Sequence, residues 1–279
     1  MANLMLSVAA ALFYSVASAR LYVSLGHAHR PAPTADPVPS PPRRGTRRRL
    51  TLGLAAVALV FHAWVALSLT GWPDALRLPF FTALAVTAIG VVLLQLVLCL
   101  RQPADYLGLA VYPLAAVALL ASQAAGQGPS IQGQAIQIHV LLSVLAYAVL
   151  TLAAAQAGLA SIQRRSPDRH RPGGFMRALP PLETTERLLF ALLTAGFALL
   201  TLSLASGFFY LEDMFAQHLV HKTVLSCLAW ALFAVLLFGR WRFGWRGRRA
   251  VRLTLAGFGV LILAYFGSKL VLELILGRT

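Results

Sequence analysis

Charge is scarce in this chain. Only 12% of its residues are charged against 58% hydrophobic, and a mean hydropathy of +0.73 is too high for a soluble domain of 279 residues. Cysteine is scarcer still: Cys99 and Cys227 both fall in apolar stretches, which suggests no disulfide framework and leaves them as packing residues. No loop is long enough to fold as a soluble domain, and no internal repeat recurs. A glycine-rich nucleotide motif and a Ser/His/Asp arrangement are missing too, so no turnover of its own is expected.

What the chain has instead is apolar length. Eight stretches, at 4–24, 51–71, 79–100, 106–123, 136–160, 188–210, 223–239 and 253–275, come mostly near the ~20 residues that cross ~30 Å of hydrocarbon as a helix. Only the fourth and seventh are short. The expected fold is an all-α integral membrane protein of about eight transmembrane helices.

The net charge of +15 would suit nucleic acid, but its distribution points elsewhere. Of the 24 Lys and Arg, nineteen lie in four alternate connections, whereas Arg77, Lys222 and Arg278 lie on the other side. The positive-inside rule then makes the arginine loops cytoplasmic, puts both termini outside, and excludes nucleic acid as a partner. Arginines follow the first stretch instead of preceding it, so it reads as a retained helix and not a cleaved signal. The expected organisation is a first helix at 1–25, a Pro/Arg-rich cytoplasmic linker at 26–50, and a seven-helix membrane domain at 51–279. The linker composition also suits contact with anionic lipid. In the loop at about 161–187, Thr184 or Thr185 is the expected cap of the sixth helix.

Histidine is what remains to carry chemistry, and topology sorts the seven. His27, His29 and His170 lie in arginine loops, where imidazole is ordinarily solvated. His139, His218 and His221 fall at the outer surface, and His62 stands alone about eleven residues into its span, near mid-bilayer. Three imidazoles at one membrane face, from segments far apart in sequence, suit a haem or metal site; they are equally compatible with polar interface residues. His218 and His221 share one helical face and cannot sit trans across a macrocycle, so a six-coordinate haem takes His139 and one of that pair. For His62 a ligand and a hydrogen-bonded core residue stand level.

The C-terminal third carries a resemblance. The run Gly239-Arg240-Trp241-Arg242-Phe243-Gly244-Trp245-Arg246-Gly247-Arg248-Arg249-Ala250, with Gly257-Phe258 and Ala264-Tyr265-Phe266-Gly267, resembles the end of cytochrome c assembly proteins of the CcsA, CcmC and HemX type. His139 with Leu142-Ser143-Val144-Leu145-Ala146-Tyr147 resembles another segment of that family, and in size and layout the chain is most similar to its YpjD branch. The resemblance implies a haem-handling inner-membrane protein that assists cytochrome c assembly, with haem, the bilayer and other assembly proteins as partners. It implies an external haem ligand at His139 and a transmembrane one at His62. Two departures stand out: the family's Trp-rich external stretch is replaced by Leu219-Val220-His221-Lys222-Thr223, and Phe238 occupies the place of a second transmembrane histidine. The alternative is a membrane adaptor or transport component whose external histidines bind zinc or copper, or are structural.

Overall fold

The computed structural model describes residues 1–27, 44–72, 76–124, 126, 128, 130–131, 133–165, 179–210 and 220–267. His29, His170 and His218, together with most of the proline-rich 26–50 stretch, lie outside them.

With no water at membrane depth, the backbone must satisfy itself, and only helices do so within one segment. Eight helices result among the described residues: α1 (Ala2–His27), α2 (Arg44–Thr70), α3 (Phe80–Arg101), α4 (Gly108–Ser122), α5 (Gln134–Arg165), α6 (Leu182–Tyr210), α7 (Val220–Phe243) and α8 (Arg248–Ile262). A 3-10 turn, Asp105–Leu107, leads into α4, and a π turn, Leu263–Gly267, extends α8. With those extensions, all eight are long and apolar enough to cross a bilayer, so the chain is an all-α integral membrane protein. Hydroxyls inside the spans bond back to their own helix, as Thr87 does to the Ala83 carbonyl and Thr254 to that of Ala250, both at 2.8 Å.

Several helices outrun the apolar stretches that mark them. The 32 residues of α5 extend roughly 48 Å at 1.5 Å each, so both of its ends project past the hydrocarbon. The start of α6 differs from the sequence expectation: it begins at Leu182, directly after Pro180 and Pro181, and neither Thr184 nor Thr185 caps it. Proline lacks the N–H that a helix start leaves unsatisfied, so the pair sets the boundary by itself. Thr185 sits buried in the first turn, and its hydroxyl bonds the Pro181 carbonyl.

The α5–α6 contact is the most extensive, α1 packs on α2 and α4, and α3 packs on α4 and α5. Glycine permits the closest approach: a Cβ at Gly196 of α6 would lie 2.6 Å from the Leu150 side chain of α5.

The two ends of the bundle are fastened differently. At the arginine end, Arg48 of α2 pairs with Asp105 at 2.9 Å and donates to the Cys99 carbonyl of α3. Arg164 of α5 pairs with Glu186 of α6, whose carboxylate also accepts the Gly247 N–H at 3.2 Å. Gly247 has φ +68, a left-handed conformation that a side chain would strain. At the opposite end, a two-residue antiparallel ladder joins Leu76–Arg77 (β1) to Ser130–Ile131 (β2), with Leu76 opposite Ile131 and Arg77 opposite Ser130.

Candidate functional site

His139 lies in the second turn of α5, half-buried against the end of α6. Its Nδ1 is 3.0 Å from the Ser203 carbonyl and 3.0 Å from Ser206 Oγ. A carbonyl only accepts, so Nδ1 carries the proton. Ser206 agrees, because its own hydrogen goes to the Ser203 carbonyl at 2.8 Å and its oxygen is left to accept. Nε2 therefore keeps its lone pair, the state in which imidazole binds a metal, with the ring orientation held by its other nitrogen. Ser143 donates to the His139 carbonyl at 2.8 Å, which makes Ser203 the donor in the 2.7 Å Ser143–Ser203 contact.

His139 lines a cavity of about 420 Å³ whose walls are mostly apolar, with Ser143, Ser203, Lys222, Thr223 and Ser226 among its polar members. A second, larger cavity of about 1170 Å³ lies beside it and is almost wholly apolar. His221, exposed in the first turn of α7, lines that second cavity, while the next residue, Lys222, lines the first. His139 and His221 thus border adjoining spaces with a shared wall of Thr87, Tyr147 and Phe266.

His62 is fully buried in α2 and lines neither cavity. Its Nδ1 is 3.4 Å from the Tyr14 hydroxyl of α1, and its Nε2 closes no hydrogen bond although the Ala85 carbonyl of α3 is near enough to interact. Tyr14 stacks on Tyr112, whose hydroxyl donates to Gln95 at 3.0 Å, and Gln95 in turn donates to the Cys99 sulfur at 3.1 Å. Phe238 stands exposed on α7 beside Trp241 and Phe243.

The donor set fits an iron porphyrin better than a small bare ion. A neutral imidazole with a free Nε2, apolar walls and one ammonium for a carboxylate is what a macrocycle with acidic side chains requires. Among the described residues, no three His, Cys, Asp or Glu side chains converge as a small-ion centre. The sequence singles out His139 but not Ser203 and Ser206, which the structure brings to its ring. Their signal was a polar pair three apart inside the apolar run of α6.

The comparisons follow this architecture. The Escherichia coli inner membrane protein YpjD is 42% identical over 139 residues, 50% of this chain and 52% of that protein, so the chain spans about half the length of these relatives. An uncharacterised 28.8 kDa protein of Azospirillum brasilense is 35% identical over 240 residues, 82% of this chain and 85% of that one. The cytochrome c biogenesis protein CcsA of Prochlorococcus marinus is 30% identical over 102 residues, 34% of this chain and 32% of the relative. No solved structure is matched. The eight apolar helices and the YpjD relatives make this a multi-pass protein of the bacterial inner membrane. Residues 52–276, from within α2 to beyond the π turn, match the family model for cytochrome c assembly proteins, and the chain belongs to that family.

Proposed function

We propose that this protein binds haem at its outer face and assists cytochrome c assembly, with no turnover of its own. The observation that carries the reading is His139, with Nδ1–H held by the Ser203 carbonyl and Nε2 unencumbered at a cavity that Lys222 also lines. That volume lies within the ~300–1,000 Å³ of cofactor sites. Haem there would be held by His139, with His221 or His218 as the proposed second nitrogen donor and Lys222 as a propionate partner, and would supply an iron centre. The CcsA relatives carry the name of cytochrome c biogenesis proteins, and their assembly role is proposed for this chain by kinship.

The orientation proposed with this function has the arginine loops and the 26–50 linker in the cytoplasm and both termini outside, on the distribution of positive charge. The organisation proposed is a first helix at 1–25, a cytoplasmic linker at 26–50 and a seven-helix membrane domain at 51–279, with other assembly proteins as partners. The resemblance points to a separate transmembrane ligand at His62, whose family partner is replaced by Phe238, but burial away from both cavities favours the hydrogen-bonded core residue.

The deciding experiment is the visible spectrum of protein purified from haem-replete bacteria, beside a His139→Ala variant. The expected result is a Soret band that His139→Ala loses more completely than His221→Ala or His218→Ala. Full haem in a folded His139→Ala protein refutes the site. A colourless wild type with stoichiometric zinc or copper refutes haem and favours the metal-binding alternative.

A further inference from the structure

The cavity at His139 and the apolar groove beside it are separated by three side chains, and the three are not held alike. Tyr147 is tethered by its hydroxyl to the Leu261 carbonyl at 2.5 Å, and Thr87 by its own to the Ala83 carbonyl at 2.8 Å. Phe266 has no hydrogen-bonding group on its side chain and is held by packing alone: edge-to-face with Phe80 at 5.9 Å and with Tyr147 at 5.7 Å, with its neighbour Tyr265 at 5.1 Å, and against the apolar core. It also sits on the π turn that ends α8, where the regular i→i−4 bonding is already interrupted; such turns recur at functional sites. The groove is the roomier of the two spaces, and it opens between α4 and α8, where Leu114, Val117 and Leu263 line it yet remain exposed.

We infer that Phe266 is a movable partition, and that the porphyrin-class ligand lodges across it, its iron at His139 and its apolar edge in the α4–α8 groove. The inference rests on the haem reading above. It follows from the sizes and linings: the smaller space holds the nitrogen ligand and the ammonium, and the larger one is almost wholly apolar. A macrocycle with one polar and one greasy edge matches the joined chamber better than either space alone. When the ring swings aside, His139 of α5 and His221 of α7 border a single space, and both can then address the same ligand.

The test is the rate at which detergent-purified protein, stripped of pigment, takes up added hemin, followed at the Soret band. Phe266→Leu removes the edge-to-face contacts that must break, and Phe266→Trp enlarges the partition. Uptake should quicken in the first and slow in the second, each by about tenfold given what aromatic pairs of this kind contribute. A folding defect would move both variants the same way, so opposite shifts are the signature. His139→Ala should abolish the band in either background. If both Phe266 variants load at the wild-type rate with the wild-type spectrum, the partition is refuted while the haem site stands. If wild type itself takes up no hemin at His139, the functional reading fails first and takes this inference with it.

Discussion

At the residue scale, the site depends on which nitrogen of His139 holds the proton, and that is decided by Ser203 and Ser206, 64 and 67 residues away. Ser206→Ala removes one acceptor and leaves the Ser203 carbonyl. Hemin affinity should therefore fall by about tenfold, the low end of what losing an orienting partner costs, as read by titration at the Soret band. Unchanged affinity would mean that the carbonyl alone orients the ring. His62 makes the opposite case. Its Nε2 is buried without a bond, a penalty of about 1–3 kcal/mol that an apolar residue of similar size would relieve. His62→Leu removes the unpaired Nε2 but leaves the buried Tyr14 hydroxyl without its imidazole, so the thermal midpoint in detergent should change little, whereas His62→Ala should lower it by leaving a void as well, and both should keep the external haem spectrum. Loss of all haem from a well-folded His62→Leu protein would make the bilayer histidine the principal ligand. The sequence showed that His139 and His62 were unusual, because an imidazole in an apolar run is conspicuous. It did not show Tyr14, Ser203 or Phe266 beside them, since nothing in a linear spacing says which faces of α1, α6 and α8 turn toward α2 and α5.

At the element scale, the eight helices were legible because bilayer thickness sets a length that composition reveals directly. Their ends were less so. The start of α6 is set by Pro180 and Pro181 and not by a threonine cap, and α5, which packs along α6, continues through polar residues to Arg165. The contact between those two helices needs a missing side chain: Gly196→Val would press a branched carbon into Leu150 and should cost about 1–3 kcal/mol, visible as a lowered thermal midpoint. Glu186 is the fastening at the other end of the same helix. Glu186→Gln keeps an acceptor for the Gly247 N–H but deprives Arg164 of its charge partner, and should cost about 1.5–3 kcal/mol in a denaturation titration. A loss near zero would show that the pair is fully screened by water at the membrane surface.

At the scale of the whole molecule, the arginine-bearing ends gather at one face, tied through Arg48–Asp105 and Arg164–Glu186, and the ladder lies at the other. Reporters fused at about Pro39, Pro172 and Arg248 should therefore register cytoplasm, and those near Gly128 and Phe215 periplasm. A mixed result among the first three would break the alternation on which the placement of His139 and His221 at one surface depends.

The ladder between β1 and β2 has a consequence of phase. Strand residues alternate in direction with a period of two, and the His139 cavity is lined by Ile131, which pairs with Leu76, and by Leu78, one residue past the paired Arg77. Sliding one connection past the other by a single position would turn Ile131 away from the cavity, whereas sliding it by two would restore the facing. The length of the α4–α5 connection thus acts on the cavity by parity: one residue inserted just before Gly133 disturbs the wall more than two, although neither insertion touches His139.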